Sequence, residues 1–256
     1  MSKVFLYLDI LGFSQLVDSK SDKIEKIFSA INELHVYKDN EFQTIVFSDT
    51  ILIFNKKDNQ SHHFYVTYLI EYTQQLFYKL ASLNVFFRGI LSVGDFNYIE
   101  LNNFNAYYGI VLNRSYQSEK ELKGFGLYVH KSLCSEVITF DTISIDENYH
   151  YVLLCQSLIN LYKQTSGELP VDCDLFSKTD SFCRIDDDLR FLREINYLRK
   201  NIEEEKIKEK YEFVFQIYKS YLPKFFVVFE KEGFMPFVLN PDYIGNIDPY
   251  SIFERQ

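Results

Sequence analysis

Val4-Phe5-Leu6-Tyr7-Leu8-Asp9-Ile10-Leu11-Gly12-Phe13-Ser14 is an apolar run broken by one carboxylate and closed by a glycine turn. Lys3–Leu8 is almost wholly apolar, the pattern of a central strand covered on both faces. Gly12 and Ser14 then turn the chain into a helix. Further on, Thr44-Ile45-Val46-Phe47-Ser48-Asp49-Thr50-Ile51-Leu52-Ile53-Phe54 repeats the theme. Phe42–Phe47 and Ile51–Phe54 read as two strands joined by a tight polar turn, with Asp49 at its tip. A charge in either place costs several kcal/mol unless something pairs with it. A hard divalent cation is an economical partner. Two carboxylates and a backbone carbonyl suit Mg²⁺ or Mn²⁺, and triphosphate oxygens can fill the remaining positions. The pair of aspartates therefore suggests two-metal chemistry on a nucleotide.

The surrounding pattern alternates strand and helix. Asp22 and Glu25 give a variant capping box for a helix carrying Ile24, Ile27, Phe28, Ile31 and Leu34 at helical spacing. His62–Leu83 reads as a long helix, Asn84–Val93 as a strand, and an Asn- and Tyr-rich connection leads to Tyr108. Gly109–Glu121 is helical in pattern and Leu127–His130 makes a short strand. This order predicts an α+β sandwich with a mainly antiparallel sheet and helices on one side. The expected domains are 1–140, holding the candidate site, and 141–256, a mostly helical extension. In the latter Tyr149–Gln164 and Asp186–Lys219 look helical, the charged run Glu203–Lys210 reads as a solvated face, and Phe225–Gln256 as an irregular wrap.

Composition narrows the class. The 256 residues are 47% hydrophobic, with 25 Phe, 20 Tyr and no Trp, enough for one substantial β-rich core. The net charge of −9 argues against a nucleic-acid partner, which needs a basic face. It leaves room for a nucleotide whose charge metals neutralise. The cysteines Cys134, Cys155, Cys173 and Cys183 form no C-x-x-C pair, so neither a zinc site nor a disulfide framework is indicated. No apolar run approaches the roughly 18 residues of a membrane span, and Val4–Leu8 is too short for a signal peptide. A cytoplasmic protein without membrane partners is expected.

Four segments in order carry a resemblance. Leu8-Asp9-Ile10-Leu11-Gly12-Phe13-Ser14, Phe47-Ser48-Asp49-Thr50-Ile51, Phe87-Arg88-Gly89-Ile90 with Gly94, and Tyr108-Gly109-Ile110-Val111-Leu112-Asn113 resemble the successive motifs of class III nucleotidyl cyclases, over roughly residues 3–135. The resemblance implies that family's ferredoxin-like sandwich and two metal ions, Mn or Mg, held by Asp9 and Asp49 with the carbonyl of Ile10. It implies a triphosphate held by backbone around Leu11, Gly12, Phe13 and Ser14, and a head-to-tail homodimer with shared sites. Asn113 would orient the ribose, or serve as an ordinary polar residue of a helix face. Arg88, ahead of Arg114, is the expected phosphate cation, and Thr50 could donate to a base or phosphate.

The departures are informative. The position of the family's transition-state arginine is Gln117, and its purine readers are replaced by Ala106 and Ile45. In this the chain is similar to the pyrimidine cyclases of Pycsar antiphage systems. That resemblance implies conversion of UTP to cyclic UMP, or of CTP to cyclic CMP, with the product activating a downstream effector in bacterial antiphage defence. Tyr107 and Tyr108 offer stacking surfaces near the lost purine reader, or simple aromatic packing. A catalytically silent cyclase fold that binds a nucleotide or regulates a partner is the alternative of another class.

Overall fold

The computed structural model describes residues 2–34, 40–172, 174–177 and 184–242. The chain divides into two compact units, Met1–Leu154 and Cys155–Gln256. The first is built on a seven-stranded sheet in the order β2-β3-β1-β4-β7-β9-β8. Its strands are β1 (Ser2–Ile10), β2 (Phe42–Phe47), β3 (Thr50–Asn55), β4 (Phe87–Asp95), β7 (Gly126–His130), β8 (Thr142–Ser144) and β9 (Tyr149–Val152). A separate two-stranded hairpin, β5 (Asn97–Glu100) and β6 (Asn105–Tyr108), lies in the Asn- and Tyr-rich connection. Among the described residues, only β4 and β7 pair in parallel; the other strand pairs of the sheet are antiparallel. The α+β class with a mainly antiparallel sheet is therefore as expected.

β1 lies inside the sheet, paired along its length with β3 and β4. Val4, Phe5, Leu6, Tyr7, Leu8 and Ile10 are all buried, because both faces are covered. Successive residues of a strand point to opposite faces. Leu6 pairs with Ile53, and Ile53 with Thr44. On the face they share, Phe42 meets Tyr65 edge-on and stacks on Tyr68 of α3 (His62–Ala81). On the other face, Phe5, Tyr7, Leu52 and Phe54 form a cluster with Phe96 and with Val111 of α4 (Ile110–Glu121). Helices thus lie on both faces rather than one. The alternation of large apolar residues along β1 requires it, since neither side can face water.

α1 (Phe13–Asp18) and α2 (Lys23–Glu33) follow β1. The expected capping box does not form. Asp22 stands at the N-cap without a side-chain capping bond, and its carboxylate pairs instead with Lys26 at 2.6 Å. The sheet continues past the boundary expected at residue 140. Tyr149–Val152, read from sequence as the start of a helix, is strand, and the helix α5 begins only at Gln156. The β pairing wins because Tyr149 and Tyr151 alternate with His150 along β7.

The second unit is largely helical: α5 (Gln156–Thr165), α6 (Asp174–Ser177), α7 (Ile185–Asn201), α8 (Glu205–Tyr221) and α9 (Pro223–Glu232). The stretch read as one long helix from Asp186 is two, broken at Ile202. Phe225 onward is first a helix, begun by Pro223 at its first turn and ended by Gly233 in the left-handed conformation. The rest of the expected wrap, 243–256, lies outside the described residues. Inside this unit the buried Asp188 carboxylate accepts the Leu158 N–H at 2.8 Å, near the start of α5. Burial, followed by the charge of Asp188, pushes the Cys155 thiol well up, so it stays protonated. Cys134 and Cys155 are free thiols.

Gly109 fixes the start of α4 by close approach. A Cβ there would lie 2.3 Å from the Asp95 carbonyl oxygen and 2.7 Å from Phe96 Cα. Those are backbone atoms of the adjoining strand end and cannot swing aside. Gly109→Ala is expected to destabilise the protein by about 1–3 kcal/mol through overpacking, measured by urea unfolding.

Candidate active site

The register of β1 assembles one corner of the sheet. Asp9 stands opposite Thr50 on β3 and opposite Arg88 on β4. Directly paired residues share a face, so Asp9, Thr50 and Arg88 lie on the α4 side, in line with Tyr7 two residues earlier. The β2–β3 turn is two residues, Ser48 and Asp49, with Ser48 at φ 56. Its carbonyl at Asp49 accepts the Ile10 N–H at 3.0 Å, and the Leu11 N–H reaches the Phe86 carbonyl at 2.9 Å. The first bond ties the hairpin tip to the end of β1, and the second ties that end to the residue before β4. The Asp49 backbone is thereby held beside the Asp9-Ile10 step. Asp9 and Asp49 are both half-buried.

The charges there are felt by one buried phenol. Burial pushes the Tyr7 hydroxyl up to about 12; a hydrogen bond with Thr50 works the other way, and the charges of Asp9, Glu119 and Asp49 add to the rise. Tyr7 and Glu119 are residues that sequence reading missed. The only signal for Tyr7 was a hydroxyl in a strand otherwise made of Phe, Leu and Val. Nothing local marked Glu119, since its place depends on how α4 lies on the sheet.

Two hard carboxylates and a backbone carbonyl at one corner suit Mg²⁺ or Mn²⁺, with further oxygens coming from a ligand or water. Among the described residues no cluster of three or more His, Cys, Asp or Glu side chains could hold a metal. Asp9, Asp49 and the Ile10 carbonyl could supply at most part of a metal's shell, the rest coming from a ligand such as a triphosphate.

Past β1, Gly12 takes φ 72, a left-handed conformation at the N-cap of α1, with no side-chain capping bond to the helix start. A Cβ at Gly12 would meet only Gln15 Oε1, at 3.8 Å, so its glycine serves the turn rather than a crowded contact. Phe13 is buried, edge-on to Phe28, and anchors the short helix; Leu11 is half-buried, and Gly12 and Ser14 are exposed. The backbone at the exposed positions 12 and 14 is open to a ligand next to Asp9.

Arg88 is not available to a phosphate. It is 5% exposed, and its Nε and Nη2 donate to the Gly124 carbonyl at 3.1 and 2.7 Å. Its Nη1 donates to the Glu119 carboxylate at 2.8 Å and to the Glu119 carbonyl. The residue expected to neutralise a ligand instead pins the end of α4 to the sheet.

α4 runs back across the sheet from Gly94, which would meet Val111 if it carried a Cβ, to Arg88, which meets Glu119. Its buried residues are Val111 and Ser115. Asn113, Arg114 and Gln117 fall on the exposed face. Six helical residues separate Asn113 from Glu119, about 9 Å along the axis. Asn113 therefore does not join Asp9 and Asp49 within one chain. Of the two tyrosines, Tyr107 packs on the Tyr7 cluster with Ile45, while Tyr108 is 52% exposed.

The Arg88–Glu119 pair is a buried ion pair, with side-chain exposures of 7% and 12%. Removing one partner strands the other charge and orphans the Gly124 carbonyl. Arg88→Met is expected to cost about 3–5 kcal/mol, read from urea denaturation. The double variant Arg88→Met/Glu119→Leu should recover much of that loss. A stability unchanged in Arg88→Met would mean that the guanidinium has another role.

No protein-family model and no curated protein matches the chain. It is similar to three solved structures of cyclase domains, among others. The adenylyl cyclase CyaB from P. aeruginosa is 11% identical, with a TM-score of 0.45 over 59% of this chain and 93% of that one. The guanylate cyclase domain of RhGC from Catenaria anguillulae, solved in complex with GTP, is 12% identical, with a TM-score of 0.46 over 59% and 96%. A bacterial light-regulated adenylyl cyclase is 15% identical, with a TM-score of 0.45 over 60% and 90%.

Proposed function

We propose that this chain is a nucleotidyl cyclase acting on a pyrimidine triphosphate, UTP before CTP. The observation that supports the reading is the backbone tie between Ile10 and Asp49, which joins the ends of two separate motifs beside the Gly12 turn. Asp9, Asp49 and the Ile10 carbonyl would hold the metal ions, and backbone at Leu11–Ser14 the phosphates. Bound there, divalent ions supply Lewis acidity and charge neutralisation. The chain's own contribution is positioning. It sets the ribose 3′-hydroxyl against the α-phosphorus, so that the new O–P bond forms as the bond to the β-phosphate oxygen breaks and pyrophosphate leaves. The hydroxyl proton passes to solvent.

Base choice rests on what is missing. Ile45 is packed into the Tyr7 cluster and Ala106 has no polar group, so neither can read a purine edge. Tyr107 is packed, which leaves Thr50 and the exposed Tyr108 as hydroxyls that could face a pyrimidine. A cyclic nucleotide made this way would act through a product-activated effector, in keeping with the resemblance to antiphage pyrimidine cyclases.

A second chain is part of the proposal. Asn113 faces solvent away from Asp9, and the β5–β6 hairpin with the start of α4 exposes Tyr98, Ile99, Leu101, Phe104, Tyr108 and Ile110. Apolar residues so concentrated favour a protein partner, and a second copy would bring an Asn113 to an Asp9–Asp49 corner. Among the described residues no helix is long and apolar enough to cross a membrane. The second reading is a catalytically silent nucleotide-binding protein. It is favoured by one observation, the complete engagement of Arg88 where a phosphate cation was expected, together with Gln117.

Incubation with ATP, GTP, CTP and UTP together in Mn²⁺, with products identified by mass, tests the function. Cyclic UMP or cyclic CMP should dominate, and Asp9→Ala and Asp49→Ala should each remove it while the fold persists. Dominant cyclic AMP or cyclic GMP would overturn the pyrimidine assignment; no product at all would favour the silent reading.

The shared site has its own test. An Asp49→Ala chain and an Asn113→Ala chain, each inactive alone, should recover part of the activity when mixed, because one heterodimer site keeps both residues. An active monomer by light scattering would remove the basis for it.

A further inference from the structure

Among the described residues two arginines are buried, and the fold treats them differently. Arg88 donates to oxygen from every guanidinium nitrogen. Arg193, in the middle of α7 and 6% exposed, does not. Its Nη1 reaches the Met235 sulfur at 3.2 Å, a weak acceptor. Its Nε and Nη2 are buried with no hydrogen-bond partner. Burial pushes the guanidinium pKa down; the charge of Glu194 works against that and the charge of Arg190 adds to it. Arg190 is itself tied to Asp187 at 2.9 Å, and Glu194 takes no bond from either open nitrogen of Arg193. A buried charge left so poorly compensated is costly. Nε and Nη2 are also the two nitrogens whose N–H bonds run parallel on one edge of the planar group. That edge donates two parallel bonds to a carboxylate or a phosphate.

The chain that brings Met235 to Arg193 is held under strain. α9 ends at Gly233 with φ 72, and Phe234 follows at φ 60, a conformation that a bulky side chain rarely takes. The Phe234 ring is fully buried among Phe215, Phe226 and Phe229, which holds the step in place. The Met235 carbonyl accepts the Val238 N–H at 3.0 Å, so its backbone is fixed as well. Its side chain is half-exposed, unbranched and able to swing. We propose that Arg193 is the anion-receiving group of a small-ligand site in the helical unit, its Nε–Nη2 edge taking the two oxygens of a carboxylate or phosphate once Met235 moves aside.

The test uses the full chain with EDTA present, so that no metal sits beside Asp9 and Asp49. Thermal unfolding is followed as inorganic phosphate or acetate replaces chloride at constant ionic strength. The midpoint should rise with the logarithm of anion concentration, as one-site linkage requires. Phosphate also stabilises proteins by exclusion from their surface, so the response counts as its excess over that of Arg193→Met. An excess with phosphate alone assigns a phosphate group, and one with acetate alone a carboxylate. Arg193→Met should unfold no lower than wild type in chloride, because a poorly compensated charge is gone. Arg193→Lys keeps the charge but not the fork, and should lose most of the anion response. Equal responses in wild type and Arg193→Met would overturn the proposal, as would a full response in Arg193→Lys. A clear fall in the chloride midpoint of Arg193→Met, or its failure to fold, would overturn it too, since the guanidinium would then have its partner within the fold.

Discussion

Everything at the corner depends on the register of β1 between β3 and β4. Strand pairing admits no half-steps, and a slip of one residue would turn Asp9 to the α3 face and exchange the whole set of buried side chains. The alternation of Phe5 and Tyr7 toward one helix layer, and of Val4, Leu6 and Leu8 toward the other, makes such a slip costly in both directions. The Ile10–Asp49 backbone bond then carries the constraint from the strand to the hairpin tip. Backbone segments about forty residues apart in sequence become neighbours through that bond.

The same sheet fixes α4. Glycines at 94 and 109 let the helix start close against the end of β4, and the Arg88–Glu119 pair, with the Gly124 carbonyl, holds its other end. Once both ends are pinned, the helix cannot rotate. Val111 and Ser115 must face the sheet, and Asn113 must face outward. An arginine that looked like a ligand for phosphate is thereby consumed in keeping another residue exposed. The reading of a site completed by a second chain follows from that geometry and from the apolar hairpin beside it.

Strands and helices with strong periodicity were legible: the β2–β3 hairpin, α3, α4 and β7 lie within a few residues of where their patterns place them. The failures have physical causes. β8 and β9 are short and alternate only weakly, and their strand character comes from pairing on β7. The break between α7 and α8 falls at Ile202 in a charged stretch with no proline or glycine to announce it. The Asp22 capping box lost to a competing ion pair with Lys26.

At the candidate site the sequence by itself determined which residue types interrupt apolar runs, and so singled out Asp9, Asp49 and the Gly12 turn. Those features are local: a carboxylate inside a buried pattern and a glycine at a strand end carry their meaning wherever the chain goes. What a polar side chain is bonded to was decided only by tertiary structure. Arg88 and Glu119 are polar groups on and over one face of a sheet, equally ready to meet a ligand or one another. They come from a strand and a helix well apart in sequence, and burial without water forces each to find a partner. The path of α4 chose Glu119 for Arg88.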